Sequence, residues 1–355
     1  LSSPRHGTHG ASASAHGMAA TLQGTASNTS FANVPTGTDY GYFASGKNNP
    51  GPTSQTDRLD FTNDTATTVT KGPLSAAKYT MAATGNHHFG YWAGGAPGPV
   101  STVSRVDYSN DTAVAPEKGP LSETRRAFAA TGNADFGYYA GNYPATTLVH
   151  RIDYSNDGAI ALVRGPLDTA VDHATATGNQ NYGYFGGDVE VDRIDYSNDS
   201  ITAVEKGSLP QDTTRGAATG NANFGYFAGG PSGKTFVSRV DYSSDTTTAS
   251  PKGPLSAARY GQGATGNQSY GYFAGGMPAP AGYLSSIDRV DYSNDTATAV
   301  LKGPFSEIRA WATGASPRAN ALPIQNIYST FASSNEEVSG TKNTIVGNNF
   351  GYFAG

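Results

Sequence analysis

The chain of 355 residues contains no cysteine. This absence excludes disulfide bonds and thiolate metal sites, and it leaves the redox compartment open, because a cysteine-free chain works in either one. Long apolar runs are also missing. No stretch approaches the roughly 18 consecutive apolar residues that a membrane helix needs, so we expect no membrane insertion.

Charge is scarce, at 14% of the residues against about a quarter in an ordinary soluble domain. The 23 basic and 28 acidic residues give a net charge of −5, and the sequence has no run of Lys and Arg. Phosphate contacts require clustered cations. The composition therefore argues against a nucleic-acid partner.

Glycine and aromatic residues are abundant: 45 Gly, 21 Tyr and 15 Phe, with 20 Pro. Gly and Pro interrupt the chain too often for long helices. This composition favours many short strands joined by tight turns.

One block of sequence recurs with a period in the forties. A clear copy reads FGYFAGG (224–230), SRVDYSSDT (238–246), KGPLSAAR (252–259) and ATGN (264–267). Such a period is typical of a repeat architecture, in which repeated residues are more often structural than catalytic.

Each copy contains four short extended segments, which we name A to D in chain order. In one copy they are Tyr79–Ala83, Gly90–Ala93, Arg105–Tyr108 and Thr112–Leu121. Asn, Asp, Gly and Ser between the segments predict hairpins at ATGN and at SND. Four antiparallel strands a copy predict an all-β fold, a β-propeller of about seven blades, over 1–355 as a single domain.

The copies are not all complete. Aromatic B segments occur seven times, the last at 350–355, whereas complete C segments occur six times. We therefore expect an incomplete last blade, either reduced to two strands or completed by a continuation of the chain or a neighbouring protomer. Two insertions, at about 13–37 and 317–348, fall in the A–B connections of the first and last blades. They either cover the ring closure or form a docking arm.

The repeat resembles the kelch repeat. The resemblance lies in an aromatic strand ending in Gly94-Gly95, in the strand with Asp107-Tyr108, and in Pro254-Leu255 followed by Arg259. It spans most of the chain and implies a kelch-like propeller. The fourth strand departs from the pattern, because it has Thr, Ala and Val where kelch repeats usually have Trp.

The repeated sequence pattern DYSNDTAT…KGPLSAAR…ATGN…YGYFAGG also resembles repeats in virion structural proteins of marine cyanophages and related tailed phages. This resemblance implies a location in the virion and a role in a tail, a fibre or a capsid appendage. It assigns no role to any single residue.

The B–C connections vary most among the copies, whereas the A–B and C–D turns are nearly constant. Successive connections alternate between the two ends of a blade, so the B–C and D–A connections share one face. Loops on a rigid scaffold often carry binding, and in kelch-like propellers this is the usual binding face. The candidate binding residues on it are Lys47, Asn48, Asn142, Tyr143, Asp188, Glu190, Lys234 and Tyr283.

An Arg-x-Asp pair recurs in every C segment, and we interpret it as structural. The pairs are Arg58 and Asp60, Arg105 and Asp107, Arg151 and Asp153, Arg193 and Asp195, Arg239 and Asp241, and Arg289 and Asp291. Between packed blades they would make charge-assisted hydrogen bonds to neighbouring turns or to a second repeated Arg. If Asp107 holds a buried Arg, Asp107→Ala should cost about 3–5 kcal/mol of stability.

No metal, cofactor or catalytic group is expected. His6 and His9 lack a third ligand, and the SND turn lacks the ligand spacing of a calcium loop.

The leading hypothesis is a non-enzymatic structural or attachment component of a phage virion, in contact with other virion proteins or copies of itself. The first alternative is a carbohydrate- or receptor-binding module that recognises the host surface. The second is a propeller hydrolase or lyase with a site at the axis.

Overall fold

A computed structural model gives the fold. It describes residues 19–20, 39–280, 282–316 and 338–339. The chain divides into two compact units, one of Leu1–Val34 with Gln325–Gly355 and one of Pro35–Ile324. In the first unit, strand β1 (Ala19–Ala20) pairs antiparallel with β26 (Val338–Ser339).

The second unit contains six four-stranded antiparallel sheets, which are the blades of a propeller. Blades 1 to 3 are formed by β25 (Thr313–Ala315), β2 (Tyr40–Ala44), β3 (Thr56–Asp60) and β4 (Val69–Lys71); by β5 (Ala82–Gly85), β6 (Phe89–Ala93), β7 (Val103–Asp107) and β8 (Glu117–Lys118); and by β9 (Ala129–Gly132), β10 (Phe136–Ala140), β11 (Val149–Asp153) and β12 (Leu162–Arg164). Blades 4 to 6 are formed by β13 (Thr175–Gly178), β14 (Tyr182–Gly187), β15 (Glu190–Asp195) and β16 (Val204–Glu205); by β17 (Ala217–Gly220), β18 (Phe224–Ala228), β19 (Val237–Asp241) and β20 (Ser250–Pro251); and by β21 (Gly263–Gly266), β22 (Tyr270–Ala274), β23 (Ile287–Asp291) and β24 (Val300–Lys302). The first strand of each blade contacts the first strands of both neighbouring blades, so these six strands surround the axis.

The expectation of about seven blades is wrong, because the described residues form six. The ring closes when β25 pairs with β2, in the register Tyr42 to Ala315 and Ala44 to Thr313. The A segment near residue 313 therefore completes the first blade instead of beginning a seventh. Within the described ranges no blade is incomplete. The segment 350–355 and both expected insertions lie outside the described residues.

The predicted segments need adjustment at the C–D connection. Four of these connections are 3-10 turns: η1 (Tyr108–Asn110), η2 (Tyr154–Asn156), η3 (Tyr196–Asn198) and η4 (Tyr242–Ser244). Asp107 caps the first of them, since its Oδ1 accepts from the backbone N and the Oγ of Ser109 at 2.9 and 2.6 Å. The D strands are shorter than expected, at two or three residues each.

Aromatic rings fill the wedges between blades. The ring that follows each C strand stacks on a Tyr in the B strand of the preceding blade, with centroids 4.6–5.1 Å apart. The stacked pairs are Tyr42 and Tyr108, Tyr91 and Tyr154, Tyr138 and Tyr196, Tyr184 and Tyr242, Tyr226 and Tyr292, and Tyr272 and Phe61. The B-strand glycine is required here, because a Cβ on Gly183 would lie 2.7 Å from the Tyr196 hydroxyl.

Each blade is also tied to the next by a cluster around one carboxylate. The Asp that ends the SND turn accepts from an Arg of the preceding blade at 2.7–2.8 Å and from a Tyr hydroxyl at 2.8–3.0 Å. It also forms an ion pair with a second cation at 3.0–3.4 Å. The clusters are Arg58, Lys71 and Tyr42 on Asp111; Arg105, Lys118 and Tyr91 on Asp157; Arg151, Arg164 and Tyr138 on Asp199; Arg193, Lys206 and Tyr184 on Asp245; Arg239, Lys252 and Tyr226 on Asp295; and Arg289, Lys302 and Tyr272 on Asp64. We call each of these an inter-blade cluster.

The Arg and the Asp of each Arg-x-Asp pair therefore have different partners. Arg105 reaches the turn of the next blade and also stacks over Phe89, with 4.1 Å between the guanidinium carbon and the ring centre. Asp107 serves its own turn. Asp107→Ala therefore leaves the ion pair of Arg105 intact. The loss of stability that we expected for Asp107→Ala should instead follow from substitution of Asp157, which pairs with Arg105.

Candidate binding site at the mouth of the channel

Six residues form a ring of left-handed backbone around one end of the axis. Each stands just before the first strand of its blade, with φ between 45° and 63°. They are Thr80, Ala127, His173, Arg215, Gly261 and Trp311. Five of these residues have a side chain, and left-handed backbone costs such residues about 1–2 kcal/mol each.

Backbone hydrogen bonds run around this ring. The N–H of Ala127, His173, Arg215, Gly261 and Trp311 each donates to the carbonyl of the preceding ring member, over 2.5–2.9 Å. These bonds hold the left-handed geometry in place. Backbone strain that is maintained in this way is typical of functional positions.

Below the ring, the channel is narrow. Its wall is made of Ala, Gly and Thr from all six first strands, and the cavity measures about 110 Å³. Sites for small molecules usually measure about 300–1,000 Å³. The channel therefore has room for a small group, and a larger ligand would lie across its mouth.

Aromatic side chains from four blades meet at this mouth. The ring centre of His173 lies 5.9 Å from that of Trp311 and 5.8 Å from that of Tyr143, and Tyr260 lies 6.0 Å from Trp311. Gly261 leaves space for the indole, since a Cβ there would lie 2.9 Å from it. Tyr143 is 47% exposed, so part of this aromatic surface faces solvent.

Two arginines add positive charge at the mouth. The guanidinium carbon of Arg126 lies 4.9 Å from the ring centre of Tyr143, and Arg215 is exposed.

Burial lowers the pKa of His173, and the charges of Arg215 and Arg126 lower it further. Asp172, whose carboxylate lies 3.2 Å from Nδ1 of His173, opposes this effect. His173 is therefore neutral at pH 7. We call Arg126, Tyr143, His173, Arg215, Tyr260 and Trp311 the mouth cluster.

The structure brings one of the eight predicted binding residues, Tyr143, into the mouth cluster. Its neighbour Asn142 supports it from behind by accepting from the backbone N of Arg126 at 3.0 Å. These contacts join a B–C connection to D–A connections, which agrees with the shared face expected from the sequence.

The other predicted residues make contacts outside the mouth cluster. Lys47 lies 5.8 Å from the ring centre of Tyr79, and Asn48 donates to Glu307 at 3.1 Å. Lys234 donates to the carbonyl of Asp212 at 3.2 Å. The remaining three are Asp188, which has left-handed backbone and accepts from Thr213 N; Glu190, which begins β15; and Tyr283, which is half-buried before β23.

Sequence reasoning missed the rest of the mouth cluster. Arg215 resembles a displaced copy of the repeated Arg, but Thr213 occupies that structural position and Arg215 stands in the ring. The missed signal lies two positions after the repeated Arg (Arg125, Arg259 and Arg309). When the copies are aligned, this position holds a different residue in each of the six blades, although the residues around it are nearly constant.

Neither a metal site nor a spanning helix was found in the ranges that the structure covers. Those ranges contain no group of three or more His, Cys, Asp and Glu side chains arranged to hold a metal ion. No helix in them is long and apolar enough to cross a membrane. His6 and His9 lie outside the described residues.

Comparison with known proteins identifies the fold alone. No protein-family model and no curated protein matches the sequence. Among solved structures, the chain is similar to one titled "Structure of YjhT", with a TM-score of 0.57 and 11% identity over 68% of this chain and 88% of YjhT. This similarity supports a β-propeller and carries no argument about activity.

Proposed function

We propose that the propeller is a non-enzymatic attachment module that binds a saccharide across the mouth cluster. The observation that supports this proposal most strongly is the convergence of Tyr143, His173 and Trp311 from three different blades, with His173 and Trp311 on strained, hydrogen-bonded backbone. A repeated scaffold has no structural need for unlike residues at this one position.

The chemistry of the cluster suits a sugar. Pyranose rings have an apolar face of C–H groups that packs on aromatic rings, and Trp and Tyr provide large, rigid surfaces for this contact. The hydroxyl groups of the pyranose accept hydrogen bonds from guanidinium groups, which carry five donors in a fixed plane. Trp311, Tyr143 and Arg215 provide both kinds of contact.

A role at the host surface would agree with the resemblance to cyanophage virion proteins. The kelch-like character of the repeat and the placement in a virion remain proposals that rest on the sequence. Mass spectrometry of purified particles tests that placement, and absence of the chain from particles would contradict it.

Glycan-array screening followed by calorimetry tests the binding proposal. Trp311→Ala should reduce affinity at least tenfold, because it removes the largest surface in the cluster. Val114→Ala is the matched control, since Val114 is 61% exposed in the C–D connection of blade 2, and it should leave affinity unchanged. Equal affinity for both variants, or conversion of a bound glycan into product, would overturn the proposal.

A second candidate function, an interaction scaffold within a particle, is favoured by the outer strands. Leu162, Val163, Val300 and Leu301 are 51–58% exposed on β12 and β24. Exposed apolar residues on unpaired edge strands are suited to contact with another chain. Light scattering of the wild type and of a Leu162→Ser, Val163→Ser variant tests this function, which predicts concentration-dependent assembly by the wild type alone.

A further inference from the structure

A buried Arg–Asp pair lies between the D–A connection and the C strand in two blades. In blade 1, Arg309 Nη2 donates to Asp57 Oδ2 at 2.7 Å, and in blade 6, Arg259 Nη2 donates to Asp288 Oδ2 at 3.2 Å. All four side chains are at most 1% exposed. The carboxylate neutralises a guanidinium that has no access to water.

Blade 3 has the arginine without the carboxylate. Arg125 is fully buried, and its Nη1 donates to the carbonyl of Gly141, as Arg259 Nη1 does to Gly275. The residue opposite is His150, also fully buried. The Nη2 of Arg125 and the Nδ1 of His150 have no hydrogen-bond partner.

The imidazole of His150 takes the place of the carboxylate. Its Nε2 lies 2.6 Å from Ser122 Oγ, just as Asp288 Oδ1 accepts from Ser256 Oγ at 2.6 Å. By analogy with Asp288, whose Oδ2 accepts from Arg259, Nδ1 is the imidazole nitrogen that is left for the guanidinium of Arg125. Burial and the charge of Arg125 lower the pKa of His150 to about 4, so a neutral imidazole stands in blade 3 where blades 1 and 6 hold an anion.

A buried guanidinium without a counter-charge is costly, because arginine does not lose its proton in proteins. The acidic group that acts on Arg125 is Glu123, which is exposed to solvent. Tyr139, the neighbour of His150 on β10, directs its hydroxyl to the carbonyl of Tyr91. Neither group supplies a buried negative charge at Nη2.

We propose that blade 3 binds a small monovalent anion of the chloride class between Arg125 Nη2 and His150 Nδ1. The anion takes the place of the missing carboxylate oxygen. Neutral His150 donates to it from Nδ1–H while Nε2 accepts from Ser122 Oγ, so binding requires no change in the protonation of the imidazole.

Bromide is the probe for location. Crystals of the full chain soaked in sodium bromide should show an anomalous peak between Arg125 and His150. Asp288→His provides a matched test, because it recreates the arrangement of blade 3 opposite Arg259 and should produce a second peak in blade 6. Absence of a peak at Arg125 in the wild type would overturn the proposal.

Thermal stability is the second readout. At pH 6 and constant ionic strength, sodium chloride replaces sodium gluconate, so that general screening is unchanged. Each tenfold increase in chloride above its dissociation constant should raise the Tm by about 2–4 °C. His150→Asp supplies the carboxylate in place of the anion and should remove this chloride dependence. An equal chloride response in the wild type and in His150→Asp would contradict the proposal, even if both proteins bind glycans normally.

Discussion

Arg289 in blade 6 donates to Asp64 in blade 1 over 2.8 Å, although 225 residues of chain separate them. This contact completes the circle of inter-blade clusters, because each of the other five joins blades that are consecutive in sequence. Two contacts therefore close the propeller. Near the axis, β25 pairs with β2, and further out, the inter-blade cluster of Asp64 joins blade 6 to blade 1.

The inter-blade clusters predict which of two similar aspartates matters for stability. Asp157→Ala should lower the free energy of unfolding by about 2–4 kcal/mol, because it leaves Arg105 and Lys118 without their carboxylate; the upper end is reduced because Arg105 is 23% exposed. Asp107→Ala removes a cap and should cost about 1 kcal/mol. Urea unfolding measures both, and an equal loss would show that the clusters do not stabilise the ring.

The same clusters predict a loss of stability in acid. Burial raises the pKa of Asp64, but the hydrogen bonds from Lys302 and Tyr272 and the charge of Arg289 outweigh it, and the pKa lies below the usual 3.8. A carboxyl whose pKa is depressed in the folded state stabilises the fold above the unfolded pKa. That contribution is lost as the pH falls through the folded pKa. Urea midpoints measured from pH 6 to pH 2 should fall below about pH 4, and the fall should be smaller for Asp64→Asn.

Asp192 should have the opposite effect on stability. It is buried opposite Val171 instead of an Arg, and burial raises its pKa to about 6, with the nearby charge of Asp168 acting in the same direction and the hydrogen bond from Thr169 N against it. Because the folded state holds this proton more tightly, the contribution of Asp192 is favourable below the unfolded pKa near 3.8 and is lost as the pH rises through 6.

A matched pair of substitutions tests this reversal of sign. At pH 8, Asp192→Asn should raise the free energy of unfolding by about 1–3 kcal/mol, since two pKa units correspond to about 2.7 kcal/mol. Asp288→Asn should lower it by about 3 kcal/mol, because it removes the counter-charge of Arg259. Destabilisation by both variants in chemical denaturation would contradict the burial argument.

A single hydroxyl should stabilise the junction of blades 6 and 1. In blade 5, the hydroxyl of Tyr242 lies 3.3 Å from Thr177 Oγ1. The equivalent pair at the ring closure is Phe61 and Thr265, and Thr265 Oγ1 is buried without a hydrogen-bond partner. Phe61→Tyr should therefore raise stability by about 1 kcal/mol, and Tyr242→Phe should lower it by a similar amount. Calorimetric melting of both variants measures the effect, and a lower Tm for Phe61→Tyr would show that the site cannot accept the hydroxyl.

Local features of the repeat were predictable from sequence. The Asn of each ATGN turn accepts backbone N–H groups two and three residues ahead, as Asn86 does from His88 and Phe89. Six complete C segments correspond to six blades; five read Arg-x-Asp-Tyr, and the first ends in Phe61. The error came from the seventh aromatic segment, because similarity between copies does not show which A strand pairs with which B strand when a ring closes.

The mouth cluster was not predictable for a different reason. Tyr143 belongs to a variable connection and was found for that reason, whereas His173, Arg215 and Trp311 stand inside constant blocks. Their shared property is a left-handed backbone around one axis. Glycine is the residue that signals such backbone, and Gly261 is the one glycine among the six ring residues, so this column of unlike residues carried no conformational signal.

The pairing of β25 with β2 determines how the ring would respond to mechanical force. β25 ends at Ala315, directly opposite Tyr42 near the start of β2. The chain on both sides of the propeller thus leaves from the same end of one antiparallel pair. Tension applied through both flanking segments would open the three paired positions one after another, as in unzipping, instead of loading them together in shear. The closure at the axis would then be the first part of the ring to yield, and the Arg309–Asp57 pair behind it would be the next to bear the load.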